Sequence, residues 1–260
     1  MWERADLKER AKTTLKKDYW KAFLISLVIM FAAGGGSGGG SGSGFRFNKN
    51  DSGNPFKDMK ITDIDWQVLI PAMAVIMVVI AIIVFVSIVI RIFIMYPLEV
   101  GGRRYFIKTA EDMDNRLCFT FAFQSGNYLK IVGAMLLRDV QNFLWFLLLI
   151  IPGIIKAYEY RMVPYILAQN PRIGAKAAIL LSRRMTDGSK WRIFVLDLSF
   201  LGWYLLGFLA CCIGVLFVQP YVDMTMAELY TDLRKNAIHQ GFCNPGDFGM
   251  EPLEIRTSGN

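Results

Sequence analysis

The sequence predicts an all-α, polytopic membrane protein with about six transmembrane helices and with both termini in the cytoplasm. Three observations support this class. Hydrophobic residues make up 54% of the 260 residues, they form runs long enough to cross a bilayer, and the basic residues cluster at the ends of those runs. A soluble domain of this length would carry its apolar residues in short amphipathic periods instead.

The net charge of +7 is also compatible with nucleic-acid binding. However, the bases lie where topology signals belong, so we expect a lipid bilayer rather than a nucleic acid as partner. The four cysteines include no C-x-x-C pair, and the single histidine is His239. A zinc site, a disulfide framework and imidazole-based catalysis are therefore not supported, and we predict no cofactor.

The N-terminal residues 1–21 carry seven Lys and Arg around a stripe of Leu7, Ala11 and Leu15, which predicts a basic amphipathic helix on the cytoplasmic side. This helix runs into the first predicted span, 19–33, which would be about 22 Å long. A cleaved signal peptide is the alternative interpretation of this region. The Gly/Ser-rich segment 34–66 is predicted to be an extracytoplasmic loop, and its composition also fits an engineered linker.

The remaining apolar runs predict five further spans, at 68–95, 127–151, 154–169, 192–210 and 213–233. Glycine and proline suggest where each one ends. We expect the second helix to end at Tyr96, before Pro97, with a further break at Gly101 and Gly102. The third and fourth spans are expected to turn at Pro152 and Gly153, and the last two at Cys211 and Cys212.

Between the fourth and fifth spans the sequence predicts an amphipathic cytoplasmic helix over 171–187. Asn170 is the expected N-cap and Pro171 the first helical residue. Its apolar side is predicted to contain Ile173, Ala177, Leu180 and Leu181.

Charge decides the predicted threading. The segment 170–192 holds six Lys and Arg against one acid, and it falls on the same side as the basic N-terminus if there are six spans. The positive-inside rule then places both in the cytoplasm. Residues 1–240 are predicted to form a single membrane domain, followed by a flexible tail over 241–260.

Several ionisable residues fall inside the predicted spans. A charge at mid-bilayer costs about 2.5–3.5 kcal/mol on insertion scales, so it usually faces the bundle interior and has a partner. The candidate intramembrane polar core consists of Arg138, Asp139, Lys156, Glu159, Arg161, Asp197 and Asp223. These charges could lock the helices together, line a polar cavity or ion path, or lie solvated near the interface.

Helix geometry limits the possible pairs. Lys156 and Glu159 are three residues apart and can share a face. Arg161 points elsewhere, so we expect it to pair across helices with Asp139, Asp197 or Asp223. Arg138 and Asp139 are adjacent, so both are expected to find their partners on other helices.

Arg103 and Arg104 follow the second predicted span and are candidate contacts for anionic lipid headgroups. They could equally form a simple positive cap or part of a phosphate-binding loop. The sequence contains no G-x-S-x-G, H-E-x-x-H or P-loop motif, so an enzyme is not favoured, although the question stays open.

Long segments resemble a known family. They are the basic start WERADLKERAKTTLKKDYWKAFL, PLEVGGRRYF (97–106), FLLLIIPGIIKAYEYRMVPYILAQNP (146–171), LSRRMTDGSKWRIFVLDLSFLGWYLLG (181–207) and QPYVDMTMAELYTDLR (219–234). Together they resemble a bacterial integral-membrane family catalogued as domain of unknown function 975, in which Gly/Ser-rich sequence often follows the first span. Gln169 and Gln219 depart from the usual family pattern. More distantly, the pattern of Pro152-Gly153-Ile154, Arg161 and an amphipathic helix that contains Ser182 is similar to membrane domains fused to some glycerophosphodiester phosphodiesterases.

The resemblance implies a multi-pass protein of the bacterial cytoplasmic membrane and supplies no activity. Our first hypothesis is a non-enzymatic, transporter-like or accessory envelope component with a charged helix bundle. The alternatives are a membrane enzyme or enzyme partner that interacts with lipid headgroups, and a structural scaffold. The expected partners are the bilayer, anionic headgroups or another membrane protein.

Overall fold

A computed structural model describes residues 3–32, 66–114, 117–124, 126–209 and 213–250. Throughout these ranges the chain is built from helices joined by turns, with no strand, so the all-α prediction is confirmed. The predicted Gly/Ser-rich loop lies outside the described residues except for Trp66. The predicted turn at Cys211 and Cys212 and the end of the predicted tail, 251–260, also lie outside them.

The α-helices in chain order are α1 (Arg4–Ala32), α2 (Trp66–Ile90), α3 (Tyr96–Ala110), α4 (Cys118–Phe123), α5 (Tyr128–Leu148), α6 (Ile150–Glu159), α7 (Val163–Gln169), α8 (Ala175–Thr186), α9 (Lys190–Leu209) and α10 (Ile213–His239). A π-helical segment, Arg91–Met95, joins α2 to α3, and a short 3-10 helix spans Pro245–Phe248.

Helix α1 is amphipathic as predicted, because Leu7, Ala11 and Leu15 are all buried. It packs mainly along α10 and α3. Two polar contacts fix its N-terminal half: Arg10 Nη2 lies 2.5 Å from Asp232 Oδ2 on α10, and Lys8 Nζ donates to Ser199 Oγ on α9 at 2.7 Å.

The predicted helix end at Tyr96 and Pro97, and the predicted break at Gly101 and Gly102, are both wrong. The helix continues from Trp66 to Ala110 through the π-helical segment, over about 65 Å. Pro97 is accommodated directly after that segment, where the hydrogen-bond ladder is already altered.

The two glycines serve close packing instead of a break. A Cβ at Gly102 would overlap the side chain of Ile29 on α1, and a Cβ at Gly101 would lie 3.1 Å from Phe119 Cα on α4. Small residues allow helix backbones to approach in this way, and sequence alone does not distinguish that use from a helix end.

The turn after α5 also differs from the prediction, because it falls at Leu149 and not at Pro152 and Gly153. Leu149 is extended, with φ −159° and ψ 142°. Pro152 then lies in the first turn of α6, where its missing N–H is tolerated. Gly153 faces α5, since a Cβ there would lie 2.7 Å from the ring of Phe146.

The predicted fourth span, 154–169, is divided. It consists of the end of α6 and the whole of α7, separated by a turn at 160–162. Helix α6 has ten residues and α7 has seven, so each rises about 10–15 Å and neither alone could cross a bilayer core of about 30 Å.

Helix α8 confirms an amphipathic helix in the basic connector but begins later than predicted. Asn170 Oδ1 accepts a hydrogen bond from the backbone N–H of Arg172 at 3.0 Å, which forms a turn in place of a helix cap. Gly174, with φ +85°, then precedes the first helical residue. The buried face is also rotated from the predicted one: Leu180 is 49% exposed, whereas Ala178 and Leu181 are buried.

Helices α9 and α10 form the predicted hairpin. Their backbones approach closely near its turn, because a Cβ at Gly207 would lie 2.8 Å from the carbonyl carbon of Gly214. Beyond α10, part of the predicted flexible tail is packed: Phe248 is buried, and the side-chain amide of Asn170 donates to the carbonyl oxygen of Asp247 at 3.1 Å.

Two helical segments of the described chain are long and apolar enough to cross a membrane, Met73–Ala110 and Tyr128–Leu148. The first contains a window with mean hydropathy 3.4 in which no side chain is buried. A shorter apolar stretch spans Tyr19–Met30. Two such segments are fewer than the six spans that the sequence predicts.

Candidate functional site

A charged cavity of about 270 Å³ lies among α3, α5, α6, α7 and α10. Its ionisable lining comprises Arg91, Glu99, Arg103, Arg138, Asp139, Arg161 and Asp223. Four guanidinium groups therefore face three carboxylates, and Asp197 pairs with Arg161 from outside the lining. With Asp197 included, the positive and negative charges of the cavity are equal in number.

The centre of the cavity is the ion pair between α3 and α10. Arg103 Nη1 lies 2.8 Å from Asp223 Oδ1 and also donates to the hydroxyl of Tyr165 at 3.1 Å. Gln219, one turn before Asp223, donates to the same carboxylate oxygen at 3.3 Å and accepts from Tyr204 at 3.1 Å. These contacts connect α3, α7, α9 and α10.

Two atoms in this network lack a hydrogen-bond partner within the described ranges. Asp223 is only 2% exposed, yet its Oδ2 accepts no hydrogen bond there, and the Nε of Arg103 donates none. Buried unpaired polar atoms of this kind cost about 1–3 kcal/mol each, more when charged. The cavity is therefore suited to a group that supplies both a donor and an acceptor.

A second cluster lies where α5 meets the π-helical segment. The guanidinium of Arg138 donates to Asp139 Oδ1 from Nε at 2.8 Å and from Nη2 at 2.7 Å, and Tyr96 donates to Asp139 Oδ2 at 2.7 Å. Arg91 and Glu99 lie farther away, at 3.8 Å from Asp139 and 3.9 Å from Arg138.

Arg138 and Asp139 do have partners on other helical segments, as expected, but against the expectation they also pair with each other. The long arginine side chain bends towards its neighbour despite the 100° turn between adjacent helix positions. Tyr96 supplies the expected cross-helix contact. Because π-helical turns are frequent at functional sites, the position of Arg91 at the start of one is notable.

Arg161 finds its partner on α9, as predicted for one of three candidate acids. Both terminal nitrogens of its guanidinium bind the carboxylate of Asp197, with 2.9 Å between Nη2 and Oδ1. The hydroxyl of Tyr158 donates to the same carboxylate at 3.0 Å. This two-bond geometry fixes the orientation of both groups, because the planar fork of arginine matches a carboxylate.

Lys156 and Glu159 also pair as predicted, with 2.6 Å between Nζ and Oε2. They lie outside the charged cavity, where Lys190 adds a second contact to Glu159 at 2.8 Å. This hydrogen bond raises the pKa of Lys190 above the usual lysine value. The cluster joins α6 to the start of α9.

The two candidate headgroup contacts are separated. Arg103 lies in the charged cavity, whereas Arg104 donates to the carbonyl oxygen of Ala168 and its guanidinium lies 3.7 Å from the ring centre of Phe121. The side chains of adjacent helix residues diverge by about 100°, so Arg103 and Arg104 lie in two different environments.

Sequence reasoning missed several polar members of the charged cavity, among them Arg91, Glu99, Tyr165 and Gln219. A usable signal was present, because Glu99 and Arg103, and likewise Gln219 and Asp223, are four residues apart in helices. Polar residues at this spacing share one face. In an otherwise apolar helix such a face indicates a polar interior.

The fold and the cavity define an all-helical protein with an extensively apolar exterior and a charged interior. Residues 73–237 match the family described as "Protein of unknown function (DUF975)". Because the match covers more than half of the chain, the protein belongs to this family. No curated protein and no solved structure matches the chain. Family membership therefore supplies no activity.

Proposed function

We propose that the protein is a multi-pass membrane protein, transporter-like or accessory and not an enzyme, that binds a small polar solute in the charged cavity. The observation that carries this proposal is the contrast between interior and exterior. The cavity holds seven ionisable side chains, whereas every described side chain from 73 to 90 is exposed and nearly all are apolar.

The apolar exterior supports a bilayer location. Exposed apolar side chains also cover the end of α5 and the start of α6, from Leu147 to Ile151. A surface this continuous far exceeds the isolated apolar patches of soluble monomers. In a bilayer the same apolar surface contacts hydrocarbon and not water, so its exposure is no longer unfavourable.

The proposed threading keeps about six crossings with both termini in the cytoplasm. The broken α6–α7 segment is compatible with it, since an interrupted helix is tolerated at membrane depth where protein buries it or a cavity faces it. Tyr160 and Pro164, at this interruption, both line the charged cavity. Interrupted helices often form solute sites in membrane transporters, which supports a transporter-like role by analogy.

The balanced charge of the cavity favours a zwitterion over a simple ion. A cationic group of the solute would approach the free Oδ2 of Asp223, and an anionic group would approach the arginines. A lone cation or anion would leave one set of charges without a partner.

Binding can be measured by thermal unfolding of the purified full-length protein in detergent, with a panel of amino acids and betaines as probes. We expect at least one probe to stabilise the protein. Asp223→Asn should abolish the shift, whereas Asp187→Asn, which changes an exposed acid, should preserve it. A probe that stabilises the Asp223→Asn protein equally, or a panel without any shift, would contradict the proposal.

Movement of the solute is tested separately in liposomes. The best probe should enter vesicles that contain the protein, and the charge-neutral variants Asp139→Asn and Arg161→Gln should lose uptake while they still fold. An accessory component would bind the probe, but the probe would not enter the vesicles. If these variants change only stability and no probe binds, the protein is a scaffold.

The rival hypothesis, a lipid-headgroup-interacting enzyme or enzyme partner, also includes the distant resemblance to membrane domains of glycerophosphodiester phosphodiesterases. Since Arg103 lies in the charged cavity, only a substitution of Arg104 distinguishes this rival from the solute-binding proposal. Function that survives the cavity substitutions and is lost on Arg104→Gln would favour this rival.

A further inference from the structure

A second cavity, of about 300 Å³, lies where the C-terminal ends of α3 and α7 meet α10 and the 3-10 helix. Its charged lining consists of Arg104, Lys108, Glu111 and Arg234. Phe248, which is 1% exposed, is also part of the lining. Three cations thus share one carboxylate, in contrast to the balanced charge of the central cavity.

Arg234 is the most deeply placed of these cations. The residue is 3% exposed, and its guanidinium binds Glu111 through Nη2 alone. Its Nε and Nη1 are buried and donate to no acceptor within the described part of the chain. Because buried donors without acceptors are costly, this arginine is incompletely satisfied by the protein itself.

The other two cations, Arg104 and Lys108, donate hydrogen bonds to backbone carbonyl oxygens. Arg104 donates to a backbone carbonyl, that of Ala168, and Lys108 donates to the carbonyl oxygen of Asp114 at 2.8 Å. No ion pair of either residue is found within the ranges that the structure describes.

We propose that this cavity is a binding site for a phosphate group, held by Arg104, Lys108 and Arg234. A phosphate brings several acceptor oxygens and negative charge, which are what the two free donors of Arg234 and the excess positive charge lack. The site is separate from the charged cavity of Arg103 and does not depend on the solute proposed there.

The phosphate could belong to an anionic lipid headgroup or to a soluble ester, because both present the same chemistry. In the proposed threading this end of the bundle faces the cytoplasmic interface, where both are available. The source is therefore decided by experiment.

The test uses the full-length protein in nanodiscs of phosphatidylcholine, with glycerol 3-phosphate as the soluble probe and calorimetry as the measurement. A second set of nanodiscs also contains phosphatidylglycerol, and retention of that lipid after exchange into detergent is measured by mass spectrometry. Binding of the soluble probe in both nanodiscs identifies a soluble ester. Selective retention of phosphatidylglycerol without soluble binding identifies the headgroup.

The variants are Arg104→Gln and Lys108→Gln, with the exposed Lys176→Gln as the matched control for loss of one positive charge. Each of the first two should weaken binding about tenfold or more, because each removes a charge-assisted hydrogen bond to the phosphate. Lys176→Gln should have no effect. Arg234→Gln is left as a secondary variant, because it also breaks the contact with Glu111.

Three results would overturn the proposal. They are absence of binding by both phosphate sources, unchanged binding in both Arg104→Gln and Lys108→Gln proteins, and equal loss in the Lys176→Gln control. Loss of solute binding at Asp223 would not bear on it, so the two proposals fail independently.

Discussion

The hydroxyl of Ser182 donates a hydrogen bond to the carbonyl oxygen of Glu159 at 2.6 Å and accepts one from the backbone N–H of Met162 at 3.2 Å. One side chain of α8 thus satisfies both ends of the interruption between α6 and α7. The fully buried position of Ser182 excludes water as a substitute. The amphipathic helix α8 therefore stabilises a break in the backbone of the bundle.

Ser182→Ala should lower the free energy of unfolding by about 1–3 kcal/mol, because it leaves a buried carbonyl and a buried N–H unpaired. Thermal unfolding in detergent measures this effect. Ser87→Ala is the control, since Ser87 is exposed and its hydroxyl donates to the carbonyl oxygen of Ile83 in its own helix. Equal stability of the two variants would contradict the role given to Ser182.

Gly207→Ala should destabilise the hairpin of α9 and α10 by about 1–3 kcal/mol. The added methyl would lie 2.8 Å from backbone atoms of Gly214 and Val215, which cannot rotate away. Gly202→Ala on the same helix has open space around its Cβ and should be neutral or stabilise by about 0.5–1 kcal/mol. Similar unfolding midpoints for both variants would show that the close approach does not exist.

Arg161→Gln and Asp197→Asn should each destabilise the protein by about 3 kcal/mol, because each leaves a partly buried charge without its partner. The double variant should lose less than the sum of the two, with a coupling of about 0.5–3 kcal/mol. A double-mutant cycle by thermal or denaturant unfolding measures it. Additive losses would mean that the two-bond contact contributes nothing of its own.

The contact of Lys190 with Glu159 gives a pH prediction. Since the hydrogen bond raises the pKa of Lys190 in the folded protein, its stabilisation is complete below the unfolded lysine pKa of about 10.4 and is lost as pH rises through the folded value. The stability difference between the natural protein and Lys190→Gln should thus stay constant near neutrality and shrink in strong alkali. Lys190→Arg keeps the positive charge, so its stability should match that of the natural protein near neutrality and should be retained to a higher pH.

Cysteine labelling tests the threading. Burial raises the pKa of Cys118, which is 1% exposed, so this thiol should react slowly with a maleimide in the folded protein. Lys176→Cys places a thiol on an exposed position of α8, and it should react only from the cytoplasmic side. Labelling of position 176 by an impermeant reagent added outside would overturn the proposed orientation.

The sequence predicts the helical class, the pairing of Lys156 with Glu159 and the cross-helix role of Arg161, because periodicity and helix spacing decide each of these. It does not predict the positions of the turns. Pro152, Gly101 and Gly102 resemble helix ends in sequence, whereas the structure uses them within helices. Tertiary packing decides between these uses, and a single sequence contains no record of which neighbour a glycine faces.

The charged cavity is predicted only in part for a similar reason. Four of the seven residues of the candidate polar core line it: Arg138, Asp139, Arg161 and Asp223. Arg103 joins them because α3 continues through its glycines, which keeps this arginine on the same rigid helix as Glu99. The sequence predicts a helix end and a break before Arg103, so it does not place this arginine on one helix with Glu99.

The sequence of the exposed helix α2 is constrained differently from the sequences of the other described helices. All of its described side chains from Ile70 to Ile90 face outwards. No neighbour within the described part of the chain then decides which apolar residue stands at a given position, so the identities of these residues should be freely exchangeable. What must be kept is the number of residues and their collective hydrophobicity, since length sets the thickness of membrane that the helix can match. Randomised apolar sequences of equal length should therefore replace α2 without loss of folding.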